Sequence, residues 1–203
     1  VGCRATIAIT TEDHGHNYAK ASIQSEALFP YPTSLALWYP LGEGVGDIGY
    51  EMTGSGLNLG LKSIPKRWMN GKQLHLYSTE YATSEGVLMA EDLPNPFSIE
   101  LKATIGRNLG EIAGWDGSMP WTVGVDSDRR LYLECSLGRI TFATKAEFAV
   151  ENHLVWTVDG NQVVLYKNGE LMERRTLLSN LTWIGDGRPV VGKFSKNEIT
   201  SGF

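Results

Sequence analysis

A retaining glycosidase needs two carboxyl groups about 5–5.5 Å apart. Residues two apart on a strand share a face, separated by about 6.6 Å of rise. Among the 23 acidic residues only Asp126 and Asp128 have that spacing. They fall in Asp126-Ser127-Asp128, where the residue types favour a hairpin turn and Asp bonds its own backbone. Glu111 and Asp116, beside Trp115, are five positions apart, which on a regular strand sets them on opposite faces. Nucleophilic catalysis has no better support. The histidines are His14, His16, His75 and His153, and no G-x-S-x-G elbow occurs. The expectation is therefore a protein that is not an enzyme, with glycoside hydrolysis kept as an alternative.

Metal and ligand chemistry come next. Glu12-Asp13-His14-Gly15-His16 places two imidazoles on one side of a strand, but a closed zinc site wants further spaced ligands and none follows. A solvated polar turn is the simpler reading. Asp126 and Asp128, or Asp116 with its neighbours, could contribute loop carboxylates to a calcium site, with turn chemistry as the simpler reading; Asp126 and Asp128 are the candidate metal ligands, and no other cofactor is expected. Six tryptophans occur, and a sugar's apolar face rests well on an exposed ring. Trp38, Trp156 and Trp183 lie in apolar runs that read as core. Trp115 and Trp121 flank the loop Asp116-Gly117-Ser118-Met119-Pro120 and are the better candidates for exposure. Trp115, Asp116 and Trp121 are therefore the candidate ligand-binding residues.

These residues need a frame to hold them. The chain has 203 residues, enough to bury a full core without staples. Charged residues make up 20% and hydrophobics 42%, the balance of a globular protein. A net charge of −5 argues against a broad nucleic-acid footprint. No apolar run approaches the roughly 18 residues of a membrane span, and no signal-peptide pattern opens the sequence. Lys66-Arg67, Arg129-Arg130 and Arg174-Arg175 read as solvated basic pairs. Asn180-Leu181-Thr182 fits the short N-glycosylation pattern. Cys3 and Cys135 cannot define a disulfide framework; Cys135 reads as a small buried hydrophobe, with a bridge between the two left open.

The element pattern is β throughout most of the chain. Residues 1–33 read as an arm: alternation over 4–11 predicts a strand, and Ala19, Ile23 and Ala27, four apart, predict a short helix over 17–28. Residues 34–203 read as the main domain. Leu35, Ala36, Leu37, Trp38 and Tyr39 form a short apolar run, followed by a glycine-rich loop. From 97 to 175 the alternation is sustained. Ile99, Leu101, Ala103 and Ile105 interleave with polar residues, as do Leu131, Leu133 and Cys135. Further strands are expected over 121–125, 140–143, 154–158 and 162–166. Asp159-Gly160 and Asn168-Gly169 are strong hairpin signals because the favoured turns need positive φ. Short strands at this spacing predict an antiparallel β-sandwich or barrel rather than parallel units.

The run HLVWTVDGNQVVLYKNGEL, residues 153–171, resembles a hairpin of the concanavalin A-like, laminin-G-like jelly rolls. Phe97-Ser98-Ile99-Glu100-Leu101 resembles the strand that opens that family's meander. Residues 35–46 are similar to its first strand and glycine-rich loop, and Leu181-Thr182-Trp183-Ile184-Gly185 to a late strand. The resemblance covers roughly residues 34–194 and implies an all-β jelly-roll sandwich, a scaffold that hosts lectins, adhesion modules and glucanases. Such domains close with a further strand near the first. Here only residues 193–203 remain for it, so residues 4–11 are expected to cover an open edge, in cis or in a partner subunit.

The resulting expectation is a non-catalytic recognition module that binds a glycan or protein surface through loops at one sandwich edge, outside the cell or on a cell or virion surface. The alternative is a subunit of a homo-oligomer or larger assembly, such as a virion decoration, tail fibre or surface layer, joined through the arm. Nucleic acid and membrane insertion are not expected.

Overall fold

A computed structural model describes residues 5–12, 18–25, 37, 39, 41, 46–52, 56–61, 68–69, 73–74, 76, 81–87, 96–106, 110–181 and 187–192. The chain divides into two compact units, Val1–Leu37 and Trp38–Phe203. Cys3, His14, His16, Trp38, His75, Thr182 and Trp183 lie outside the described residues.

In the first unit, β1 (Ala5–Glu12) pairs antiparallel with β2 (Tyr18–Ser25). The register sets Ile7 opposite Ile23 and Ile9 opposite Ala21. A strand therefore stands where the sequence predicts a helix. The reason lies in the arithmetic of the pattern. Four positions are one helical turn but also two strand periods, so Ala19 and Ile23 satisfy both. Two strands of matching length satisfy each other's backbone groups along their shared side, and β1 and β2 form a two-stranded sheet.

The second unit contains β3 (Ile48–Gly49), β4 (Leu59–Gly60), β5 (Trp68–Met69), β6 (Gln73–Leu74), β7 (Tyr81–Ser84), β8 (Phe97–Thr104), β9 (Gly110–Gly117), β10 (Trp121–Val125), β11 (Arg130–Cys135), β12 (Gly138–Lys145), β13 (Glu151–Asp159), β14 (Gln162–Lys167), β15 (Glu170–Thr176) and β16 (Gly187–Gly192). An eight-stranded antiparallel sheet runs β12-β11-β10-β9-β16-β7-β4-β3 and a four-stranded one runs β15-β14-β13-β8; β5 and β6 form a small ribbon. No helix occurs among the described residues. Consecutive hairpins build β9 to β12 and β13 to β15. Strands distant in sequence pair where β8 meets β13 and where β9 meets β16, which is jelly-roll connectivity.

The two sheets pack through their alternate residues. One core cluster takes Val123, Val125, Leu131, Leu133, Cys135 and Phe142 from the large sheet and Ile99, Leu154, Trp156, Val158, Val163 and Leu165 from the small one. Trp156 is fully buried at its centre. Cys135 is buried, and its Sγ lies 3.6 Å from the Gly138 carbonyl oxygen. A second cluster gathers Leu59, Leu61 and Ala82 with Tyr39, Leu41, Leu74, Leu76 and Val191.

Both strong hairpin signals form turns. Asn168 (φ 52°) and Gly169 (φ 83°) make a two-residue loop with both positions left-handed, the type I′ pattern. The Asn168 side chain accepts from the His153 amide at 3.0 Å, which ties the turn to β13. Gly160 (φ 58°) opens the other loop.

The closing strand, expected to be missing, is β16. It inserts between β9 and β7, with Pro189 opposite Trp115 and Val190 opposite Thr83. The Thr83 hydroxyl donates to the Pro189 carbonyl at 3.1 Å. Proline rarely sits inside a sheet because it lacks a donor, and that is what hid this strand. A Cβ added at Gly187 would fall 1.7 Å from Trp115 Nε1, so only glycine fits under the indole. Gly187→Ala is expected to lower stability by about 1–3 kcal/mol, the usual cost of overpacking. Gly106→Ala, where an added Cβ meets nothing within 4 Å, should change it by a few tenths at most. Urea unfolding of the two variants measures the difference.

Candidate functional site

The outer face of the eight-stranded sheet collects most of the charged groups near the residues singled out from sequence. Alternation assigns the faces. Leu131, Leu133 and Cys135 belong to the core, so Tyr132 and Glu134 of β11 face outward. In β10 the outward residues are Thr122 and Gly124, between core residues Val123 and Val125. Arg139 and Thr141 of β12 stand opposite Glu134 and Tyr132.

In β9 the alternation breaks once. Val123 faces Ala113 and Gly124 faces Glu111, so Ile112 is the extra residue of a bulge. The bulge moves Glu111 onto the same outer face as Gly114 and Asp116. This corrects the expectation that the two acids lie on opposite faces, which assumed a regular strand.

Two rows of residues result. One runs Val190, Gly114, Thr122, Glu134, Arg139 across five strands, and the other runs Glu111, Gly124, Tyr132, Thr141. Val190 and Thr122 are 1% and 4% exposed, and Gly114 and Gly124 carry no side chain. The middle of the face is therefore a strip of small residues that present almost no exposed side chain. Charged groups flank it. Asp116 pairs across the strands with Arg188. Arg139 donates from Nε to Glu134 Oε2 at 2.9 Å and also from Nη2.

Tyr132 organises one flank. Its ring lies against Gly124, where an added Cβ would come within 2.5 Å of the hydroxyl oxygen. The Arg139 guanidinium sits over the other side of the ring, 4.2 Å from its centroid. Burial raises the Tyr132 pKa well above the ordinary phenol value, and Glu111 raises it further against the opposing charge of Arg139. The phenol is thus a neutral hydrogen-bonding group. The bond to Glu134 is the main cause that raises the Arg139 pKa. Asp116 is also raised, by burial first, with Arg188 pulling the other way.

The structure separates the three ligand-binding candidates. Asp116 stands on this outer face. Trp115 shares the inward face of Ala113 and is only 4% exposed, so the exposure expected for it does not hold. The close fit against Gly187 is the reason. Trp121 is half-buried and packs on the core, its ring 6.4 Å from that of Phe97 in the other sheet. Tyr132, Glu134, Arg139 and Arg188 were not singled out in the sequence. The alternation of residues 131–135 marks Tyr132 and Glu134 as outward, but the cross-strand partners cannot be read from it.

Asp126 and Asp128 do come together, around a guanidinium. Asp126 Oδ1 accepts from the amides of Asp128 and Arg130 at 2.9 and 2.8 Å, and Oδ2 from Arg130 Nε at 2.9 Å. Asp128 Oδ2 lies 2.9 Å from Arg130 Nη2. Calcium at this pair would have to displace Arg130 and break the turn's own bonds. Among the described residues no group of three or more His, Cys, Asp or Glu is placed to hold a metal ion.

No protein-family model matches the chain, and no curated protein matches it. Among solved structures it is similar to a native heptameric SAP-like pentraxin from Limulus polyphemus, at 18% identity and a TM-score of 0.38, over 52% of this chain and 54% of that one. A carbohydrate binding module, CBM66, from Bacillus subtilis is similar at 15% identity and 0.36, over 56% and 73%. A sialidase is similar at 12% identity and 0.38, over 58% of this chain and 11% of that one. The match thus spans about half the length of the pentraxin chain and a small part of the sialidase.

Desolvation alone would raise the Asp126 pKa, but the bonds from the Arg130 amide and guanidinium and the Asp128 amide together hold it below the usual aspartate value. A lowered carboxylate pKa adds stability above the unfolded value of about 3.9, and that stability is lost as pH falls through the folded value. The chemical shifts of the Arg130 and Asp128 amides are expected to titrate below pH 4 in the native protein. In Asp126→Asn the Arg130 amide should lose most of its titration over that range, as read by NMR.

Proposed function

We propose that this chain is a non-catalytic recognition module that binds a glycan across the outer face of the eight-stranded sheet. The observation that carries the reading is the placement of acids beside basic groups on either side of a strip of small residues: Asp116 stands across the strands from Arg188, whose charge it feels, and Glu134 is bonded to Arg139. Sugar hydroxyls both donate and accept, so paired acceptors and donors suit them. This moves the expected binding surface from the sandwich-edge loops to a sheet face, with Asp116 retained. The likeness of residues 153–171 to lectin-like jelly rolls supports the same reading, and an extracellular, cell-surface or virion-surface setting is proposed with it.

Hydrolysis is the weaker reading. Glu111 and Asp116 share a face, but the strand between them rises by about 13 Å or more, beyond the roughly 5–9.5 Å that glycosidase carboxyl pairs span. The assembly reading rests on a different observation. Ile48, Tyr50 and Met52, at 41%, 51% and 46% exposure, form an apolar stripe where β3 ends the large sheet. A sedimentation profile that stays monomeric at high concentration overturns it.

For the glycan reading, an array of neutral and acidic glycans is probed with the native protein, Asp116→Ala and Arg139→Ala. A hydrogen bond to a charged group is worth about 1.5–3 kcal/mol, so each variant is expected to lose roughly tenfold or more in affinity for the glycans the native protein binds. Absence of any binding, or binding that both variants retain in full, overturns the proposal.

A further inference from the structure

Where the edge strands β12 and β15 come together, the two sheets are joined by side chains. These strands stand at the ends of their sheets' strand orders. Glu173 of β15 is opposite core residue Leu165, which turns it toward the sandwich interior. A bulge sets it there. Leu165 faces Glu173 and Tyr166 faces Leu171, so Met172 is the extra residue. Glu173 Oε1 then accepts from the Thr144 amide at 2.7 Å and the Thr144 hydroxyl at 2.9 Å, both on β12. Its Oε2 accepts from Arg175 Nη2 at 2.9 Å. The glutamate side chain is only 18% exposed.

We infer that Glu173 is an acid-released clasp that holds the two sheets together along the β12–β15 side. As an anion it accepts three bonds at once. Protonation removes the charge from each, and charge-assisted bonds are roughly twice as strong as neutral ones. It also turns one acceptor oxygen into a donor; of these partners only the Thr144 hydroxyl oxygen could accept from it, and the hydroxyl would then give up its own donation to Glu173. The charged groups around the seam are Arg175 on the same strand, Lys145 and Glu147 at and after the end of β12, and Lys167 of β14. Lys167 Nζ donates to the Lys145 carbonyl at 3.1 Å and pairs with Glu147 Oε1 at 2.7 Å. Glu147 is exposed and lies at the solvent side of the seam, while the bond from Lys167 to the Lys145 carbonyl involves no carboxylate. The clasp at Glu173 is therefore the acid-sensitive part of the seam that lies inside it.

The sign follows from the same contacts. Burial raises the Glu173 pKa, but the bonds from Thr144 and the charge of Arg175 together hold it below the usual glutamate value. The clasp is at full strength above the unfolded value of about 4.3 and weakens as pH falls through the lower folded value. Its release leaves β12 and β15 as two loosened edges, each a template for pairing with another chain.

Native-state hydrogen exchange tests this, with the Thr144 amide compared with the Leu165 amide in the core between pH 7 and pH 3, after correction for intrinsic rates. In the native protein Thr144 protection is expected to fall about tenfold relative to Leu165 as pH drops below 4. Glu173→Gln should show reduced Thr144 protection already at pH 7 and no further acid-dependent loss. Thr144→Val, which keeps the amide but removes the hydroxyl, should show a smaller acid-dependent loss. If Thr144 tracks Leu165 down to pH 3, or Glu173→Gln reproduces the native profile, the clasp is refuted. Should Glu173→Gln fail to fold, the native profile and Thr144→Val decide the matter.

Discussion

Side chains that alternate in and out along each strand give both sheets an apolar inner face, and the layer between those faces is what the rest of the second unit hangs on. Leu154, Trp156 and Val158 from β13 share that layer with Val123, Val125, Leu131 and Leu133 from β10 and β11. At roughly 25 cal/mol for each Å² of apolar surface removed from water, such a layer outweighs any one polar contact on the surface. It also fixes register, because a one-residue slip would turn Leu131 or Leu154 outward and Tyr132 or Val155 inward. Each outward position that carries a charged group is therefore set by what its neighbours bury.

The polar features sit where regular geometry is broken on a small scale. The extra residue Ile112 brings Glu111 onto the face of Asp116. The extra residue Met172 sets Glu173 toward β12. At the turn after β10, Arg129 takes a left-handed φ of 65° and Asp126 fastens the loop with its carboxylate. Buried Asn152 does similar work after β12. Its amide donates to the carbonyls of Glu147 and Val150, and its oxygen accepts from the Glu147 amide. In each case a local irregularity re-aims one polar group while the apolar alternation continues on either side.

The same distinction explains what could be read from the sequence. The strands over Ile99, Leu131 and Trp156, and the turns at Asn168-Gly169 and Gly160, were legible because periodicity and positive-φ residues are local signals. The strand β2 was misread because its apolar spacing fits two periods. The strand β16 was missed because Pro189 and the flanking glycines look like a loop until its neighbours are known. Of the candidate site, Asp116 was named, while Trp115 was placed outside although Gly187, more than seventy positions later, makes room for it within. Arg139 and Arg188 acquire meaning only from cross-strand register, which no single stretch of residues encodes.

The position of β16 has a consequence for how the large sheet is made. Among the described residues, strands β9 to β12 and strands β3, β4 and β7 are joined through it. On a ribosome, both halves emerge before residues 187–192 do, so neither can complete its ladder when first synthesised. The sheet is finished by insertion into a waiting gap, which ties its assembly to contacts of long sequence separation and makes the last step slow by nature. Until that step, the facing sides of β7 and β9 are the nascent chain's most adhesive surfaces.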